Sequence, residues 1–442
     1  MSGNQSIVPA VIDGIGGMNM SGVFYPFCNV CDPGGEPSPS YKTYNMIMTG
    51  ILLPTIGLFG IVTNTISAYV YTRKRMLSSM NLYLCALAVS DICVITTAFF
   101  LFFMEGMRRY NHSIAYMFGA GAPVFFPAGL AAQTCSVYFT VAAAIDCFLQ
   151  VVAPKHWSRS CCTLRRALFV IVLIVILSAV YNVSHCFEIS VLECYDPRFS
   201  AVSLQVCMTE FRMNELYLEI YYVWMYTIVM AAGPLVVLVI LNAAIIVALA
   251  WKKRQKAHAH HHQHRGETRN GPHCPSTAPL IRHPPKHEVG ERESEEEEEE
   301  VDATTLILVV FLFIFCNSLA LIINFLEQTY YDQLGEALNY LVDVSNLFVV
   351  CNSSANIIFY YFFGDSYRST LHLVLDRCRR RVRHCPQPLP PSLHQTPLQP
   401  FTANGKVGSG RLSSGEDSLS ASIPHYLEAL PGNDVAVLTH CV

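Results

Sequence analysis

Asp91 stands in the middle of an apolar stretch, LAVSD, with no Lys or Arg within fourteen residues on either side. Far along the chain, Asn352, Ser353, Ser354 and Asn356 fall within five residues of one another in a second apolar stretch, NSSANIIFYYFFGDSYR, residues 352–368. In hydrocarbon each such group is costly unless it is paired. An isolated carboxylate needs hydroxyl or amide donors, or a cation, and the 352–356 side chains are ready suppliers. Two readings follow. The small polar residues bond to their own helix backbone, or their face meets Asp91 inside a bundle and forms a polar seam. The chemistry of that seam is hydrogen bonding and ion binding, with no catalytic group in it.

The elements that must position these groups are membrane spans. The chain has 442 residues, 52% apolar and 14% charged, whereas a soluble chain carries about 25% charge. A run of about 20 apolar residues crosses a bilayer. Seven such runs occur, at roughly 45–72, 81–104, 118–149, 166–186, 218–250, 303–325 and 338–362. The fold class is therefore an all-α membrane protein, a seven-transmembrane helix bundle. The seventeen Cys are scattered through spans, loops and tails, unlike a small disulfide scaffold.

Charge sets the topology. The first 41 residues contain no Lys or Arg, and no charged segment leads an apolar one, so no signal peptide is expected. Arg73 to Arg75 follow span one, Lys155, Arg159, Arg165 and Arg166 lie between spans three and four, and Lys252 to Arg254 follow span five. An Arg cluster follows span seven. The positive-inside rule makes these cytoplasmic, with the N-terminus outside and the C-terminus inside. Residues 1–44 become an extracellular tail and 45–362 the bundle. Asn4, Asn19 and Asn111 head glycosylation sequons on the outer side. The opposite loops are rich in acids, Glu105, Glu188, Asp196 and Glu327 among them, and read either as solvated loop charge or as a mouth attracting a cationic ligand.

Loop three, 252–302, opens basic, passes through a His-rich tract at 258–264 and ends in Glu295 to Glu300; with its Pro, Ser and Gly it reads as disordered. Residues 363–376 read as a short amphipathic helix after the last span, with Arg377 to Arg383 suited to anionic lipid. Cys378 and Cys385 are palmitoylation candidates, with unmodified thiols as the alternative. The tail 377–442 reads as disordered, with Ser413, Ser414, Ser418, Ser420 and Ser422 as candidate phosphorylation sites for arrestin.

Asn64 in GIVTN, NLYLCALAVSD (81–91), IDCFLQVVAP (145–154), Pro234 in span five and NSSANIIFYYFFG (352–364) together resemble the rhodopsin-like G-protein-coupled receptors across about 45–375. Within that class TRKRMLSSMNLYL (72–84), AAQTCSVYFTVAAAID (131–146), YNVSHCFE (181–188), NELYLEIYYVWMY (214–226) and FCNSLALIINFLE (315–327) are similar to the invertebrate FMRFamide-type neuropeptide receptors. The resemblance implies a sodium site at Asp91, Ser136, Asn352, Ser353 and Asn356; the alternative is an Asp91 hydrogen-bonded or protonated without metal. It also implies a coupling switch at Asp146, Cys147, Phe148, Phe313, Asn317 and Tyr360. Three departures stand out. Cys147 replaces the usual Arg of Asp-Arg-Tyr, Asn356-Ile357 replaces Asn-Pro, and Cys316-Asn317 replaces Cys-Trp.

The disulfide that the class places at the top of span three is missing, since no Cys occurs between Cys93 and Cys135. Cys194 and Cys207 become the candidates, paired with each other or with Cys28 and Cys31; the pairing stays open. The span-three position of the aminergic carboxylate is Gly129 and the span-seven position of the retinal lysine is Val350, which argues against both ligand classes. The resemblance puts the ligand among Glu105, Gln133, Tyr222, Trp224, Asn324, Glu327 and Asp343, with Glu105 and Glu327 foremost for a ligand arginine. For Tyr222 and Trp224 the alternative is an aromatic belt at the bilayer surface. The resulting expectation is a plasma-membrane receptor, not an enzyme. Its partners are an extracellular peptide, a heterotrimeric G protein, arrestin and lipid, with no nucleic acid and no cofactor beyond an allosteric sodium ion. A decoy receptor that binds without coupling is the alternative that Cys147 raises, and a transporter or channel comes third.

Overall fold

In the computed structural model, residues 17–18, 24–28, 31, 38–267 and 286–383 are described. Side chains are described for 24–28, 31, 38–258 and 301–380, apart from 302, 324, 327, 328, 331 and 332. Seven helices are long and apolar enough to cross a membrane: Pro39–Tyr71, Ser79–Met107, His112–Val152, Leu164–Phe187, Glu215–His258, Ala303–Ile323 and Glu336–Phe363. These are spans one to seven.

Most run past the apolar cores legible in the sequence. Span three starts at His112 because Asn111 caps it, its Oδ1 accepting the N–H groups of Ser113 and Ile114 at 2.9 and 3.2 Å. Span three is the central rod, packed on spans two, four, five and six, while span seven packs on one, two and six. One core of buried apolar side chains joins them, including Val70, Leu84, Val137, Ala143, Leu238, Val310 and Tyr360. Span four turns Leu168, Phe169, Val172 and Ile176 outward, as a helix facing lipid does.

Backbone departures are local. Met48–Leu52, Phe99–Phe103 and Leu218–Ala232 widen into i→i+5 turns. The last ends where Gly233 donates to the Ile228 carbonyl, and a Cβ on Gly233 would lie 2.1 Å from that oxygen. Pro234 follows and has no N–H to place. Span seven runs unbroken from Glu336 to Phe363, with Ile357 where the class carries proline.

Three details go beyond the expected seven-helix bundle. First, two short pairs of strands lie outside its spans. A hairpin between spans four and five pairs β3 (Ile189–Asp196) with β4 (Ala201–Met208), from Ile189↔Met208 to Asp196↔Ala201. Two-residue strands β1 (Gly17–Met18) and β2 (Phe24–Tyr25) pair nearby in sequence. The apolar-polar alternation of β4, AVSLQVCM, was the available signal.

Second, the loop-three expectation of disorder gives way to helix at both ends. Backbone helix continues to Glu267 and resumes at Lys286. The Lys, Gln, Ala and Arg of the first flank and the Glu run of the second are good helix formers; residues 268–285 lie outside the described residues. Third, the helix after span seven spans Asp365–Arg383, beyond the expected end at 376. Nothing in DRCRRRVR stops a helix. Its first turns are anchored by buried Tyr367, Thr370 and Leu371.

Candidate functional site

Asp91 is wholly buried, at 0% exposure. Ser136 Oγ on span three donates to Oδ1 at 2.9 Å, and Asn356 Nδ2 on span seven donates to Oδ2 at 2.9 Å. Ser353 is a third hydrogen-bond partner of the carboxylate. Asn64 on span one donates to the Ser353 carbonyl at 2.7 Å and to the Gly60 carbonyl at 2.9 Å. Spans two, three and seven thus meet at one carboxylate through neutral donors, and span one ties to span seven beside it. Span one comes this close because residue 60 is glycine: a Cβ there would lie 2.1 Å from Ser354 Oγ. Asn352 is half-buried on the same helix. The oxygens of Asp91, Ser136, Ser353 and Asn356 are the hard donors a sodium ion takes. Among the described residues no group of three or more His, Cys, Asp or Glu comes together as a metal site.

Toward the basic end of span three, Asp146 accepts from Ser79 Oγ at 2.7 Å and Gln150 Nε2 at 2.6 Å. Cys147 beside it is 2% exposed and Phe148 half-buried. The adjacent loop thiol of Cys162 is pushed up to about 12 by burial and by the charge of Asp146. Tyr360 is buried edge-on against Tyr71, ring centroids 5.4 Å apart, and 5.5 Å from Tyr367. Phe313 is buried on span six, where Asn317 Nδ2 donates to its carbonyl at 2.9 Å.

The hairpin end of the bundle carries a second site. Glu188, also at 0% exposure, sits just after span four. Its Oε1 accepts from Tyr217 O–H at 2.5 Å and lies 2.7 Å from His185 Nδ1. Its Oε2 accepts from Tyr222 O–H and from Arg212 Nη1, each at 2.5 Å. Burial alone would push this carboxyl up. Hydrogen bonds from His185 and Tyr217 and the charges of His185 and Arg212 win, and hold it below the usual carboxylate range. Arg212 also lies over the Tyr222 ring, 4.1 Å from its centroid, and His185 stands edge-on to Phe126 of span three.

Above this site, two bridges clamp the N-terminal segment to the hairpin, Cys28 to Cys194 and Cys31 to Cys207. Cys194 and Cys207 cannot pair with each other, because their cross-strand partners are Ser203 and Ser190. Cys28 N–H donates to the Tyr195 carbonyl at 3.1 Å and Tyr195 N–H to the Pro26 carbonyl at 2.8 Å, so the segment lies along β3. Cys186 stays outside both bridges.

The expected ligand residues do not form one cluster. Tyr222 turns inward to Glu188. Trp224 is 58% exposed, unlike Tyr222. Asp343 is buried and accepts from Tyr41 O–H at 3.1 Å and Asn45 Nδ2 at 3.0 Å, beside the rings of Tyr44 and Tyr340. Glu105 is exposed and pairs with Arg108 at 3.1 Å, and Gln133 is half-buried on span three. The side chains of Asn324 and Glu327 lie outside the described residues, as do Asn4, Asn19 and Cys385. Asn111 and Cys378 are exposed. Glu188 is absent from the expected ligand set, because one Glu among several loop acids carries no local mark of burial. The aromatic spacing of Tyr217, Tyr221 and Tyr222 was the only hint.

The profile of the seven-transmembrane receptors of the rhodopsin family matches residues 64–360, from Asn64 of the polar seam to Tyr360 of span seven. The chain belongs to that family. The receptor is 39% identical to the Caenorhabditis elegans protein named probable G-protein coupled receptor frpr-1, over 75% of this chain and 79% of that one. It is 27% identical to the Drosophila melanogaster FMRFamide receptor, over 79% of this chain and 58% of that protein's length. The C. elegans FMRFamide peptide receptor frpr-18 is 26% identical over 74% of this chain and 68% of its own.

Proposed function

We propose that the receptor sits in the plasma membrane with its N-terminus outside, binds an FMRFamide-like neuropeptide there, and signals to a heterotrimeric G protein. The single observation that carries most weight is the joining of spans two, three and seven at Asp91 by uncharged hydrogen bonds, with span one tied to span seven beside it. Such a seam can be repacked at small cost, so a ligand that binds one helix arrangement better shifts the population toward it. The names of the relatives support the ligand class. The two disulfides support an extracellular hairpin end, because such bonds persist in oxidising space. Sodium at Asp91 would supply a cation favouring one packing; Asp91, Ser136, Ser353 and Asn356 would hold it.

A second reading keeps the binding and drops the coupling. It is favoured by Cys147, buried where the class carries its arginine, with Asp146 bonded to the neutral side chains of Ser79 and Gln150. A screen of amidated peptides on cells expressing the receptor, reading calcium, cAMP and direct binding together, separates the two. Binding with a second-messenger response supports the coupled receptor. Binding without response, unrescued by Cys147→Arg, supports the decoy. No binding by any Arg-Phe-amide peptide removes the proposed ligand class.

A further inference from the structure

Glu188 and the three groups that hold it, His185, Tyr217 and Tyr222, make a cage, and the cage holds the guanidinium of Arg212. Its floor is a fully buried carboxylate. One wall is the Tyr222 ring, and the hydroxyls of Tyr217 and Tyr222 pin both carboxylate oxygens in place. A carboxylate with an aromatic face beside it is a recognition surface for arginine, because the planar cation both donates hydrogen bonds and stacks.

The occupant comes from the weakest support nearby. Arg212 belongs to a four-residue turn, Glu210–Met213, capped by Thr209 and ended at Asn214. Its side chain stays 24% exposed while Glu188 is closed off, so the cage opens to water on the Arg212 side. The rim there is apolar and uncovered: Phe211, Met213 and Leu216 are 42%, 68% and 65% exposed. Phe211, Arg212 and Met213 are also the three side-chain types of a Phe-Met-Arg-Phe peptide, presented by the receptor's own loop.

We propose that the Glu188 cage is a guanidinium-recognition site that Arg212 occupies in place of a ligand. Resting on the peptide-receptor reading, the ligand is a peptide whose arginine displaces Arg212 and whose aromatic neighbour lies on the Phe211 rim. Span five carries Tyr217 and Tyr222, and span four ends beside His185. An exchange of occupant therefore acts directly on two spans.

Chemical rescue tests the site without assuming any peptide. Arg212→Ala receptor, purified in detergent, is heated with and without argininamide, and with citrullinamide as the uncharged control. The expected result is a lower Tm than wild type, raised by several degrees by argininamide and not by citrullinamide. Wild type should respond less, since Arg212 competes for its cage, and Arg212→Ala/Glu188→Gln should not respond, since the carboxylate is gone. Should Arg212→Ala fail to accumulate, Arg212→Gln keeps a hydrogen-bonding side chain and is measured in the same way. An equal shift in the double variant, or none in the single one, overturns the proposal. Phe-Met-Arg-Phe-amide and its citrulline analogue form a separate arm. If neither binds while argininamide still rescues, the cage stands and the peptide reading falls.

Discussion

Glu188 and Asp91 are both carboxylates wholly withdrawn from solvent, yet the molecule treats them in opposite ways. At Glu188 the charge is met inside the chain, by Arg212 at 2.5 Å and three further donors. At Asp91 the described partners are neutral, Ser136, Ser353 and Asn356. A buried ion pair with full hydrogen bonding holds one arrangement for as long as a cation stands opposite the carboxylate. A carboxylate served by hydroxyls and amides leaves its charge to be balanced by something mobile, a proton or a cation. The first region is built as a clasp at the hairpin end. The second is built as a joint between helices.

The largest effect should come from breaking the clasp on one side. Glu188→Leu strands Arg212 and two tyrosine hydroxyls, and thermal unfolding should report a loss of about 3–5 kcal/mol. Glu188→Leu combined with Arg212→Leu should recover most of it. If single and double variants unfold alike, the pair is not the clasp. Next, Cys28→Ser with Cys194→Ser removes one bridge over the same end and should cost about 2–4 kcal/mol. Here the check is unfolding with and without reductant: wild type should lose stability in reductant and the double variant should lose less.

At the joint, Asp91→Asn should leave surface expression intact while abolishing the dependence of agonist affinity on sodium. A coupling of about 1–3 kcal/mol, roughly 5- to 150-fold, is the range to look for in wild type. Persistent sodium sensitivity in Asp91→Asn would move the ion elsewhere.

The smallest effect tests the hairpin end by acid. Glu188 and Asp196 are both held below the usual carboxylate range. For Asp196 burial pushes up, but the hydrogen bonds and charge of Arg198 prevail. Stability from a depressed carboxyl is complete above its unfolded pKa, about 4, and is lost as pH falls through the lower folded value. Unfolding midpoints should therefore hold steady down to about pH 5 and drop below about pH 4. The drop should be smaller in Glu188→Leu/Arg212→Leu. An equal drop in both would place the acid-sensitive groups outside the clasp.

Much of the bundle was legible because hydrocarbon leaves a chain few options. Seven apolar runs, Asp91 alone in one of them, and four polar residues in another could be read directly, and the structure brings Asp91, Ser136 and Asn356 into contact. The hairpin, the bridge pattern and the Glu188 cage were not legible. Cys194 and Cys207 looked equally able to pair with each other or with Cys28 and Cys31, and only the strand register separates them. Trp224 and Tyr222, two residues apart, looked alike as pocket residues, yet one is exposed and the other bonds to Glu188.

What the amino-acid sequence determined by itself is the number of crossings, their charge bias and the presence of a polar seam. Each follows from a local rule, the cost of polar groups in lipid summed over about twenty residues. What only the tertiary structure decided is which acid has a cation. Arg212 is 24 residues from Glu188, and no local pattern couples them. A turn, a hairpin register and the start of span five must all be in place before that carboxylate meets its partner.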